Sequence, residues 1–313
     1  MIEIFKTAEN GNEHFKIDTI EKGCWINLTA PTEEELCFLQ KKLNLLPNFL
    51  RDPLDEEEKP RIDVEDNQTL VIVDIPDVYE EGKNLRYDTI PLGLLITDDC
   101  IITICTKENI IINYFKEKRI KEFFTFKKTR FTLQILFVVA KDYLKYLRHI
   151  DKKTDDVEKQ LHKSMRNKEL FKLLDLEKSL VFFTTSLKSN EMMMEKLLRG
   201  RYIKMYEEDQ DLLEDVIIEN KQAIEMANIY SSILSNMMGT FASVISNNLN
   251  MVMKFLASMT IVMAIPTMIS SFFGMNMKHI PFENNHFGFL YVIIASLVIS
   301  VGAIFILSKK EMF

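Results

Sequence analysis

Cysteine is scarce in this chain. There are four, Cys24, Cys37, Cys100 and Cys105, with no Cys-x-x-Cys pair and no histidine motif beside them. That pattern supplies neither a zinc site nor a disulfide framework, and it reads as reduced thiols in a cytosolic domain. Nine glycines and eight prolines in 313 residues exclude collagen-like and low-complexity classes. No Gly-x-x-x-x-Gly-Lys-Ser/Thr loop, His-Glu-x-x-His or Gly-x-Ser-x-Gly occurs. An ATPase, a zincin or an α/β-hydrolase therefore has no motif to stand on, and no enzyme is expected. Excess basic charge is missing too: the formal net charge is −7, which argues against a nucleic-acid partner. Met1–Asn10 holds no long apolar run, so no signal peptide is expected.

What is present is unevenly distributed. Residues 251–313 carry only Lys254, Lys278, Glu283, Lys309, Lys310 and Glu311, and the remaining acidic excess lies upstream. An acidic soluble body precedes an apolar tail. In the body, Ile2–Phe5, Cys24–Leu28, Leu70–Ile75, Leu94–Ile96 and Ile101–Ile104 are rich in Val, Ile and Leu between turn residues, the signature of strands. Thr32–Leu43 opens on a run of glutamates and repeats Leu36, Leu39 and Leu43 at helical spacing. A second helix is expected over Glu108–Phe124. After Thr129 the helical period takes over, with a break near Arg166–Asn167 and a further stop at Gly200, where a C-cap glycine belongs. From Glu207 to Phe273 only Gly239 and Pro266 interrupt. At ~1.5 Å per residue such a helix exceeds ~90 Å, the length of a stalk that feeds a membrane span.

The expected fold class is α+β: a cytosolic α/β domain over 1–128, a helical stalk region over 129–254 and a transmembrane region over 255–313. Phe255–Phe273 and Phe287–Leu307 are free of charge and long enough to cross a bilayer. Lys254 flanks the first span, Lys309 and Lys310 the second, and only Lys278 lies between them. The preference of Lys and Arg for the cytoplasmic side places both termini in the cytosol and Met275–His286 outside.

The first span is more polar than the second. Asn250, Met253, Leu256, Thr260, Ala264, Thr267 and Ser271 share one face at i+3/i+4 spacing, whereas the second span offers only Ser296 and Ser300. Small and hydroxyl residues on a membrane helix serve helix packing or line a pore. Two spans cannot enclose a pore, so a conduit needs several copies, with the first helix inside and the second toward lipid.

The first span ends in Phe273-Gly274-Met275-Asn276. With the short loop, the final span, the basic tail and the long preceding helix, this motif resembles the CorA family of divalent-cation transporters, whose members carry an aromatic residue followed by Gly-Met-Asn. Cys24-Trp25-Ile26-Asn27-Leu28 and Pro60-Arg61-Ile62-Asp63 are similar to family segments as well. The resemblance implies a homopentamer in the inner (plasma) membrane, with a funnel-shaped cytosolic domain, that takes Mg²⁺, and often Co²⁺ or Ni²⁺, down the membrane potential. It implies a selectivity filter at Gly274, Met275 and Asn276. Asn250, Met253, Leu256, Thr260, Ala264 and Thr267 would line the pore. Regulatory Mg²⁺ would bind at Asp52, in Leu50-Arg51-Asp52 where the family often has Leu-Glu-Asp, and at Asp215, with Asp142 as a third candidate. Arg51 departs from that pattern and is expected to place a positive charge beside Asp52. Mg²⁺ is then both cargo and regulator, no organic cofactor is needed, and the partners are lipid, divalent cations and further copies of the chain. A Zn²⁺ transporter of the same architecture and a membrane-anchored scaffold are the competing readings.

Overall fold

The computed structural model describes residues 1–8, 14–81, 84–120, 122–164, 167–200, 202–275, 281 and 286–310. The chain divides into two compact units, Met1–Asn236 and Met237–Phe313.

The first unit is built on one seven-stranded mixed sheet. Its strands are β1 (Ile2–Thr7), β2 (His14–Ile17), β3 (Trp25–Thr29), β4 (Arg61–Glu65), β5 (Gln68–Glu81), β6 (Asn84–Ile96) and β7 (Ile101–Cys105). Their order in the sheet is β2-β1-β3-β7-β6-β5-β4. Only β3 and β7 pair in parallel, Trp25 opposite Ile101 and Leu28 opposite Ile104. Every residue of β7 is buried, as expected of a central strand covered on both faces.

Helix α1 (Glu33–Leu43) and the short α2 (Pro47–Arg51) help to cover one face. Thr32 caps α1 with a full capping box: its hydroxyl accepts from the Glu35 amide, and the Glu35 carboxylate accepts from the Thr32 amide. Leu36, Leu39, Phe49 and Leu50 pack there on Ile26, Leu28, Ile102 and Ile104. A 3₁₀ turn, Asp52–Leu54, follows α2 and sits hard against β6. A Cβ built on Gly93 would lie 2.4 Å from the Pro53 ring, so the turn can approach only where β6 lacks a side chain.

On β3 the alternate residues behave differently. Trp25 donates its indole N–H to Thr103 at 2.9 Å, and Thr103 donates to Asn27 at 2.9 Å. Its ring meets Phe5, Phe123 and Phe131. Helix α3 spans Ile110–Lys116, not the longer 108–124 stretch suggested by the sequence pattern. Asn109 caps its start, and the chain leaves the helix through Lys118 in the left-handed region. The exit returns Thr125 to bond the amide and hydroxyl of Thr7 and puts Phe123 against Trp25, contacts that outweigh another two turns of helix. Helices α4 (Lys128–Ser164) and α5 (Asn167–Arg199) form the long hairpin of this unit. Gly200 follows α5 as expected, but for another reason than a left-handed cap: a Cβ there would lie 2.0 Å from the Tyr202 ring. Strands β2 and β4 and helix α2 were not expected from the sequence; each is five residues or fewer, too short for its period to stand out.

Helix α6 runs from Glu207 to Phe273, and α7 from Gly288 to Lys309. Both carry windows apolar and long enough to cross a membrane, and little of either window is buried.

Candidate functional site: the uncovered face of α6

In the second unit, burial marks one side of each helix. On α6 the covered positions beyond Lys254 are Ser258, Val262, Ile265, Pro266 and Ile269. At ~100° per residue these fall within one face. On α7 they are Gly288, Val292, Ser296, Ser300, Ala303 and Leu307, a largely small-residue stripe at i+3/i+4 spacing. Such stripes let membrane helices approach closely, so these are the faces through which a hairpin can close. Ser296 and Ser300, the two serines of the second span, both lie on that stripe.

The opposite side of α6 remains open. Asn250, Met253, Leu256, Thr260, Ala264 and Thr267 are all exposed there. Thr260, Met263, Ala264, Thr267, Met268 and Ser271 border a shallow groove of about 570 Å³. Its hydroxyls are already oriented. Thr260 donates to the Leu256 carbonyl at 2.8 Å and Thr267 to the Met263 carbonyl at 3.0 Å. With each proton committed inside the helix, the hydroxyl oxygens face outward as acceptors. Acceptors are what the protons of a metal ion's hydration shell require.

At the outer end, α6 stops at Phe273 and the turn continues it briefly: the Gly274 amide donates to Ser270 O at 2.9 Å and the Met275 amide to Phe272 O at 3.4 Å. A Cβ on Gly274 would come 3.3 Å from the Ser270 carbonyl, so the residue sits close to backbone. Met275 is exposed. Asn276, expected to complete the filter, lies outside the described residues.

The three acids expected to bind regulatory metal have unlike surroundings. Asp52 is half-buried, and the cation beside it is Arg61, not Arg51: Arg61 reaches Asp52 at 2.6 Å and also holds Glu58 and Asp63. Arg51 turns away to Glu33 at 2.9 Å. Pairing of the two adjacent residues fails because Arg51 closes α2 while Asp52 opens the 3₁₀ turn, and their side chains leave in different directions. Asp142, on α4, is buried; among the described residues its Oδ2 has no hydrogen-bond partner, and its Oδ1 lies 3.9 Å from Lys145. Burial pushes its carboxyl above the usual range, while Lys145 and Tyr114 draw it back. Asp215 is an exposed residue of α6. Among the described residues of one chain, no three Asp, Glu, His or Cys side chains are gathered to hold a metal. Arg61 is the participant that sequence reasoning missed, although the Pro60-Arg61-Ile62-Asp63 segment around it had stood out.

The sequence model of the family described as "CorA-like Mg2+ transporter protein" matches residues 21–310. The cobalt/magnesium transport protein CorA of Methanocaldococcus jannaschii is 28% identical over 99% of this chain and 99% of its own length. The protein of that name from Thermotoga maritima is 20% identical, covering 92% of this chain and 82% of the relative. The complete structure of the M. jannaschii CorA magnesium transporter superposes with a TM-score of 0.85 at 26% identity, over 98% of this chain and 96% of that one. Sheet, helical hairpin, long helix and final apolar helix are thus matched together, and the chain belongs to the CorA-like Mg²⁺ transporter family.

Proposed function

We propose that the chain assembles as a homopentamer in the inner (plasma) membrane and admits Mg²⁺, with Co²⁺ and Ni²⁺ as further cargo, through a pore lined by α6. The observation that carries this reading is the division of α6: one face is covered, and the opposite face presents neutral oxygen acceptors beside an open groove. Mg²⁺ dehydrates reluctantly and keeps several waters. Rings of neutral acceptors at Thr267, Thr260 and Asn250 bind such an ion through its water and release it, whereas a ring of carboxylates would retain it. Asn276, beside Gly274 and Met275, forms the outermost ring. Met253 and Leu256 form an apolar constriction that closes by dewetting. With both termini cytosolic, inward movement of a divalent ion through about 100 mV yields about 4.6 kcal/mol, enough to drive uptake without ATP.

Cytosolic Mg²⁺ closes this pore by bridging Asp52 of one subunit and Asp215 of the next. When the ion leaves, the acidic first units repel and the interface loosens. Asp52 must first exchange Arg61 for the ion. Asp142 is the poorest ligand of the three, because burial favours its protonated form.

Flux into liposomes tests the pore. Asn276→Ala is expected to abolish Mg²⁺ uptake while the oligomer stays intact, and wild-type flux would remove Asn276 from the filter. A parallel Zn²⁺ arm separates the zinc reading: Zn²⁺ flux exceeding Mg²⁺ flux would replace the cargo. For regulation, Asp52→Asn combined with Asp215→Asn should weaken Mg²⁺-dependent protection from proteolysis, whereas Arg61→Gln should strengthen it by freeing Asp52. No change in either variant would put the regulatory site elsewhere.

A further inference from the structure

A cleft of about 900 Å³ opens in the first unit, away from every residue assigned above. It lies where the β4–β5 turn, the end of β6, the start of α4 and the loop into α6 come together. Its walls are held in place by backbone bonds from side chains. Thr69 donates to the Tyr202 carbonyl at 3.3 Å and Thr129 to the Lys204 carbonyl at 3.0 Å.

The lining has three chemistries. Lys127, Lys128, Arg130 and Lys204 supply positive charge. Two of them are committed. Arg130 stands 3.5 Å from Glu208 and 3.7 Å from Asp209, and Lys128 donates to the Thr97 and Asp98 carbonyls. Lys127 and Lys204 are different: no carboxylate among the described residues pairs with either, and each ammonium lies over a ring, 4.8 Å from Phe124 and 5.8 Å from Tyr206. The second chemistry is aromatic. Phe126 is 45% and Tyr206 68% exposed, two large rings open to solvent at the rim of a concave site. The third is acidic: Glu207, Glu208 and Asp209 in the first turn of α6, and Asp98 just past the end of β6.

These features call for a ligand with matching parts. Unpaired lysines grouped beside the start of a 37-residue helix, itself without an acid in its first turn, attract phosphate. Exposed rings next to cations suit a flat base. Carboxylates facing the same space would repel bare phosphates but accept the waters of a metal ion bound to them. The volume also exceeds what an inorganic phosphate occupies and suits a drug-sized ligand. We propose that this cleft binds a nucleoside polyphosphate as its Mg²⁺ complex, with the phosphates on Lys127 and Lys204 and the base against Tyr206 and Phe126. The proposal is independent of the pore reading, since binding is measured without transport.

The test is titration calorimetry on the full chain in detergent with ATP in Mg²⁺, ATP in EDTA at matched ionic strength, inorganic triphosphate in Mg²⁺, and adenosine. Saturable binding of Mg²⁺-ATP is expected, tighter than that of the other three probes. Lys127→Gln with Lys204→Gln should weaken it by about tenfold or more, as loss of charge-assisted contacts does. Both lysines are exposed, so oligomer size should not change. Tyr206→Ala should weaken ATP but leave triphosphate binding as it was. No saturable ATP binding, or binding indifferent to the lysine pair, would overturn the site. Triphosphate binding as tightly as ATP would overturn the nucleoside part, and equal affinity in EDTA would overturn the metal part.

Discussion

The two units of this chain solve burial in opposite ways. Met1–Asn236 wraps a mixed sheet in helices and hides its large side chains: Trp25, Phe115, Phe131 and Tyr143 have almost no exposure. In Met237–Phe313 most long apolar side chains face outward, and among the described residues the fully buried ones are Phe241 and the small Ser258, Gly288 and Ser300. Apolar surface on that scale is unstable in water. The first unit has a core of its own. The second has a seam, and its remaining surface is largely apolar and exposed. The same type of residue therefore has two surroundings: most leucines in β6 are buried in the fold, while Leu256 on α6 is exposed.

That contrast can be broken experimentally. The largest difference is expected between Trp25→Ala and Met253→Ala. Truncating Trp25 empties the aromatic cluster and removes the donor to Thr103, and should cost the first unit about 3–5 kcal/mol in chemical unfolding followed by circular dichroism. Met253→Ala should stay within about 0.5 kcal/mol, because its side chain is exposed. A stability loss at Met253 equal to that at Trp25 would erase the distinction.

Gly93→Ala comes next. The new methyl group meets the Pro53 ring, and overpacking of this kind costs about 1–3 kcal/mol. The turn that carries Asp52 should shift, so the Asp52–Arg61 pair should loosen as well. Trp25 is the single tryptophan of the chain, and its fluorescence reports unfolding of the first unit alone.

A pH effect of smaller size is expected from Asp74. Burial raises its carboxyl to about 6, against a counteracting hydrogen bond with Ser186. The folded state thus holds the proton more tightly than the unfolded chain. Its contribution is greatest below the unfolded value, near 4, and is lost as pH rises through about 6. Asp74→Asn should flatten the stability profile between these limits by on the order of 1–2 kcal/mol. Tryptophan fluorescence in denaturant at several pH values measures it, and an unchanged slope would refute the assignment. Within the first unit the smallest effect is expected at Thr32→Ala, which removes the α1 cap at a cost of about 1 kcal/mol. The same fluorescence titration should show a lower midpoint with unchanged steepness.

Much of this architecture was legible in the residues because it depends on local periodicity. The β-branched runs at Cys24–Leu28 and Ile101–Ile104, the capping box at Thr32 and the uncharged stretches after Lys254 and before Lys309 each carry their meaning within a few neighbours. The open face of α6 follows from its 3.6-residue period, and the Gly274-Met275-Asn276 motif from its position after Phe273. Contacts between distant segments were not legible. Nothing local says that α3 ends at Lys116 so that Thr125 can reach Thr7, that Gly200 makes room for Tyr202, or that Gly93 admits Pro53. Nor does adjacency choose ion pairs: Arg51 precedes Asp52 in sequence, yet Arg61 takes it, because side-chain direction is set by the elements that end and begin between them. The sequence by itself determined where most of the long helices, the central strands and the apolar spans lie. Tertiary structure decided which charges meet and where a helix yields to packing, since those choices depend on the free energy of contacts across the whole unit.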